Sequence, residues 1–108
     1  MDMELKIGPF VLDTSAKEIY DDKGNTVNVY DVVDYIVKNK ELKPIDSTKF
    51  VIMRRGVPVS EYDCGGPMTA YEEDHGEYKS GVYECGKYRI LAFYTSTHTM
   101  AVYFVWKL

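Results

Sequence analysis

The chain has 108 residues, 45% of them hydrophobic and 28% charged, with a net charge of −4. That size and balance predict one soluble α+β domain over residues 1–108, large enough to fold on its own core without a metal or a disulfide. A net-negative chain lacks the basic footprint that duplex nucleic acid demands, so duplex binding is not expected.

The opening "MDMELKIGPF" starts on acids and has no basic stretch followed by an apolar one, so no secretory signal is read there. The longest apolar run, "MAVYFVW" at residues 100–106, falls far short of the ~20 residues of a membrane helix. An intracellular, soluble protein with no membrane role is the expectation. In that compartment the two cysteines would normally be reduced thiols, with thermophile cytoplasm the exception.

Taken in chain order, "ELKIGPFVLD" reads as a strand that Gly8-Pro9 bends or holds at a sheet edge. "KEIY" adds a second short strand, which ends at the turn formers Asp22, Lys23, Gly24 and Asn25, so that residues 5–20 read as an irregular hairpin or as a strand and loop. Val29, Val32, Val33, Ile36 and Val37 then recur at helical spacing. They predict one main amphipathic helix, about residues 28–41, packed on one face of a mostly antiparallel sheet. Asn28 suits the N-cap, Asp31 the first turn, and Asp34 reaches Lys38 one turn on; Pro44 is the expected stop. Valine has only modest helix propensity, so burial of the stripe must hold the helix.

"STKFVIMRRGVPVSEY" reads as a strand over residues 49–55, a turn at Gly56, and a short edge strand over residues 57–60 that contains Pro58. The order strand, turn, helix, strand, hairpin in this N-terminal half resembles the ubiquitin-like β-grasp layout, a likeness of element order. The strongest strand signals follow, in "GVYECG", "KYRILAFYT" and "HTMAVYFVWKL". Both faces of residues 88–95 are largely apolar, which predicts a central strand. The last strand, residues 99–107, is also apolar on both faces and is expected to be central or to pair with a second copy in a homodimer.

Candidate chemistry concentrates in "DCGGPMTAYEEDHGEYKSGVYECG", residues 63–86, which holds six acids and one lysine, whereas residues 87–108 hold three basic side chains and no acid. Zinc would need Cys64, His75 and Cys85 with Asp63 or Asp74, but these lack the closely spaced ligand pairs of structural sites, so no metal is expected. A Cys64–Cys85 disulfide would close a loop of about 20 residues and add roughly 3 kcal/mol. Two unpaired thiols are the other reading. No motif places His75 or His98 as the base for a cysteine nucleophile, and no Gly-rich phosphate loop is present; no catalytic residue and no cofactor are assigned. His75, set among carboxylates, is a candidate pH-sensitive contact.

The pattern favours a non-enzymatic binding protein. An acidic loop over residues 71–77, carrying Glu72, Glu73, Asp74 and Glu77, would dock on a protein partner with a basic surface, with Tyr71, Tyr78 and Tyr83 as exposed packing anchors. Small acidic immunity-type proteins and virus-encoded inhibitors of nucleic-acid enzymes work in this way, with carboxylates in place of phosphates; the comparison is one of class. The alternative is a small anionic-ligand-binding protein or enzyme with an Arg/Tyr-lined pocket on the C-terminal sheet, where Arg54 or Arg89 would hold the anion.

Overall fold

Residues 3–108 are described by a computed structural model and form eleven strands and one helix. The chain is α+β, with mostly antiparallel sheet and one main helix packed on a sheet face, as its periodicities predict. Its contacts gather into two compact units, one ending at Lys40 and one beginning at Glu41.

In the first unit β1 (Glu4–Ile7), β2 (Phe10–Asp13), β3 (Glu18–Tyr20) and β4 (Thr26–Val27) form a sequential antiparallel sheet. The single bent strand expected over residues 4–13 is instead a tight hairpin, with Ile7 opposite Phe10 across Gly8-Pro9. Gly8 takes φ +53 and proline locks a negative φ, the sign pattern of a two-residue turn whose twist matches that of its strands. Leu5, Ile7, Phe10 and Leu12 are thereby buried on one face. A Cβ at Gly8 would lie only 3.2 Å from Ile36 Cδ1, so the turn needs glycine for space as well as for φ.

The helix α1 (Val29–Asn39) starts as predicted: the Asn28 side chain accepts the Asp31 N–H at 2.9 Å. Val32, Val33 and Ile36 are fully buried, and Tyr35 meets Phe10 edge-on at 5.3 Å, so the apolar stripe covers the apolar face of the sheet. The Asp34–Lys38 pair at 2.9 Å is exposed, so solvent screens it and it adds little. The helix ends short of the expected Pro44. Lys40 turns extended, with φ −120, while its N–H still reaches the Ile36 carbonyl. A residue before proline is driven to extended backbone, and Lys43 and Pro44 accordingly lie in a strand.

The second unit begins with that strand, β5 (Lys43–Ile45), followed by the hairpin β6 (Lys49–Arg54) and β7 (Val57–Asp63), which forms a two-stranded sheet. Arg55 and Gly56 both take positive φ, the signature of a hairpin turn. The register shifts opposite Pro58, which has no N–H for the ladder. The remaining strands, β8 (Met68–Asp74), β9 (Tyr78–Glu84), β10 (Tyr88–Thr95) and β11 (Ala101–Lys107), join β5 in the order β11-β10-β9-β8-β5. A β-grasp would return the post-helix strand to the first sheet, but here the first sheet is a complete meander and β5 pairs with β8.

Strand β10 is central as predicted, and Ile90, Leu91, Ala92 and Phe93 are no more than 1% exposed. Strand β11 is not central. It pairs with β10 alone among the described residues, because β9 already holds the other side of β10. Among the described residues no helix is long and apolar enough to cross a membrane.

Candidate functional site

The expected acidic loop is a β-hairpin. Met68 and Ala70 anchor β8 by burial, and β9 pairs with it in register from Thr69↔Glu84 to Asp74↔Lys79, leaving only residues 75–77 as the turn. Gly76 supplies φ +84 there, and its N–H donates to Asp74 Oδ1 at 2.9 Å. Strand alternation then divides the acids: Glu72 and Asp74 point to one face and Glu73 to the other, while Glu77 is exposed at the tip.

On the Glu73 face, the Tyr71 hydroxyl donates to Glu73 Oε2 at 2.6 Å, and His75 Nε2 lies 3.1 Å from both Glu73 Oε1 and Ser80 Oγ. His75 stacks on Tyr78 at 4.5 Å. Ser, His and Glu suggest a hydrolytic triad, but a triad needs the hydroxyl and the carboxylate on different ring nitrogens. Here both meet Nε2, and Ser80 is fully buried. The cluster braces the turn.

Two of the expected tyrosine anchors are covered. Tyr78 is 8% exposed and Tyr83 5%, because both faces of β9 are packed, so neither can serve as an exposed anchor. Tyr71 is half-buried. Burial, and next its hydrogen bond to Glu73, push the Tyr71 phenol up to about 12. A folded-state value above the unfolded one favours the native state below the unfolded value of ~10, and that contribution is lost as pH rises through the folded value. Stability should therefore decline between pH ~10 and ~12, and more shallowly in Tyr71→Phe, as equilibrium unfolding across that range would reveal.

The Glu72 face carries an open groove of about 300 Å³ built wholly within the second unit. The Tyr83 hydroxyl donates to Glu72 Oε2 at 2.6 Å and lies 3.4 Å from the Tyr94 hydroxyl. Phe50 of β6 packs against Tyr83 at 4.8 Å and Tyr103 at 5.9 Å, and Tyr94 stacks on His98 at 5.0 Å. Gly81, opposite Glu72, makes the arrangement fit. A Cβ there would lie 2.9 Å from the Tyr71 carbonyl oxygen and 3.0 Å from the Tyr83 ring and hydroxyl. The missing side chain lets the ring of Tyr83 lie across the strand to reach Glu72. Burial first, then that hydrogen bond, raise the Tyr83 phenol far above the ordinary tyrosine range, so it remains a neutral donor.

Arg89 lies on the opposite face of β10 from Tyr94 and gives its Nε–H to Glu84 Oε2 at 2.8 Å, and Arg54 is exposed near the end of β6; neither lines the cavity. The cysteines are joined. Cys64 and Cys85 form a disulfide with Cα atoms 6.1 Å apart, which overturns the unpaired-thiol reading, since the ends of β7 and β9 meet within bridging distance. Among the described residues no group of side chains is arranged to hold a metal ion. Sequence reasoning missed the cavity, whose rings come from four separate strands; the available signal was a glycine inside a strand pattern, two residues before a tyrosine. No protein-family model, curated protein or solved structure matches this chain.

Proposed function

We propose that this is a non-enzymatic binding protein that docks on a basic partner surface through the β8–β9 hairpin. The observation that carries this reading is the placement of Glu72 and Asp74 on one exposed face beside an aromatic groove, with Glu77 at the adjacent tip. Strand β5 pairs with Met68, Thr69 and Ala70 of β8, N-terminal to the acidic residues. Carboxylates draw in cations. The aromatic part of the contact comes from half-buried Phe50, Tyr94 and Tyr103 in place of Tyr78 and Tyr83.

The test is association with an immobilised lysine-rich peptide. Asp74→Lys combined with Glu77→Lys leaves the Tyr83–Glu72 hydrogen bond in place, and should slow association on the order of tenfold at low salt. The difference should shrink at 1 M salt, where screening acts over ~3 Å. An association rate unchanged by the double substitution at low salt would overturn the docking reading.

A further inference from the structure

We propose that the aromatic groove of the second unit is a binding site for a quaternary ammonium group, with Glu72 as its counter-charge. This deepens the docking reading and rests on it.

Two charged side chains other than a histidine line the groove, Glu72 and Lys49. They are not equivalent. Lys49 Nζ is 3.0 Å from Glu61 Oε1, so its charge is already offset. Glu72 is held by a phenol, which supplies a hydrogen bond and no charge. The groove therefore keeps one negative charge in a lining that also holds aromatic rings.

The rings decide which cation fits. Phe50, Tyr83, Tyr94 and Tyr103 belong to four strands and converge on one cavity, and ring faces attract a cation through their quadrupole. A primary ammonium brings three N–H donors and loses strong hydration unless each finds an acceptor. Here one carboxylate oxygen of Glu72 already accepts from Tyr83. A quaternary ammonium has no donors to satisfy and is held by ring faces and a single carboxylate. At about 300 Å³ the groove is at the small end of ligand sites, ~300–1,000 Å³, which suits one alkylated head group.

Such a group reaches the site either as free choline or as a trimethylated lysine side chain of a partner. Calorimetric titration of the intact protein with choline, with N-acetyl-trimethyl-lysine amide, with the unmethylated lysine amide and with the neutral tert-butyl isostere of choline separates the cases. Saturable binding of either quaternary ligand, at least tenfold tighter than that of the lysine amide and of the neutral isostere, is the expected result. The tighter of the two quaternary ligands names the source. Glu72→Gln keeps an acceptor for the Tyr83 hydroxyl, so its thermal midpoint should hold while affinity for the quaternary ligand falls at least tenfold.

No saturable binding of either quaternary ligand would overturn the proposal, as would equal binding of the neutral isostere or of the lysine amide. Retained association with the lysine-rich peptide alongside such a failure would leave the docking reading intact. Quaternary-ligand binding without any peptide association would overturn the docking reading alone.

Discussion

Reduction of the Cys64–Cys85 disulfide lowers the unfolding free energy by about 3 kcal/mol, an expectation set by the 21-residue separation of the two cysteines. In the chain-entropy account the bond acts chiefly on the unfolded chain, whose freedom it restricts. In the folded state it joins the end of β7 to the end of β9, and so links the two-stranded sheet to the five-stranded one. Urea unfolding of the oxidised protein, of the protein in reductant and of a Cys64→Ala/Cys85→Ala variant checks it. The last two should unfold at the same lower midpoint, and identical curves with and without reductant would contradict the expectation. Such links persist in oxidising surroundings and in the cytoplasm of thermophiles.

Gly81→Ala should cost about 3 kcal/mol, at the upper end of overpacking effects. One of the atoms its Cβ would strike, the Tyr71 carbonyl oxygen at 2.9 Å, belongs to the backbone of the neighbouring strand and cannot swing aside. The other obstacle, the Tyr83 ring, can move, but only by giving up its bond to the Glu72 carboxylate. Hydrogen bonds to charged groups contribute ~1.5–3 kcal/mol. Gly86 is the control, with nothing within 4 Å of its would-be Cβ, and alanine there should change stability by less than about 0.5 kcal/mol. A double-mutant cycle with Tyr83→Ala divides the cost between ring and backbone, because a clash with the ring disappears when the ring does. Chemical denaturation of the four proteins of the cycle and of Gly86→Ala supplies the numbers, and equal costs at Gly81 and Gly86 would refute the account.

The parts of this fold that were legible in the sequence are those whose signal is local. Asn28, Asp31 and the valine stripe describe a capped amphipathic helix without reference to any other segment, and it forms where they place it. Strand β10 is legible for a similar reason: a run apolar on both faces has to be covered twice. Gly8-Pro9 was ambiguous because the same two residues suit a bend and a reversal, and only the pairing of Ile7 with Phe10 decides between them. The consecutive acids Glu72, Glu73 and Asp74 have low strand propensity and read as a loop. Their backbone is extended because β9 lies beside it. The groove was hidden more deeply, since Phe50, Tyr83, Tyr94 and Tyr103 become neighbours only through the order of the strands.

The disulfide has a further consequence, one of covalent topology. Because it joins Cys64 to Cys85, the whole acidic hairpin with its tip at Gly76 lies inside a closed ring of chain. A protease that cuts at the tip opens the ring without dividing the molecule. The nicked protein gains the mass of a water, remains a single species, and separates into two fragments only when the sulfur bridge is reduced. The segment proposed to dock is thus also the one that the molecule can have severed and still retain.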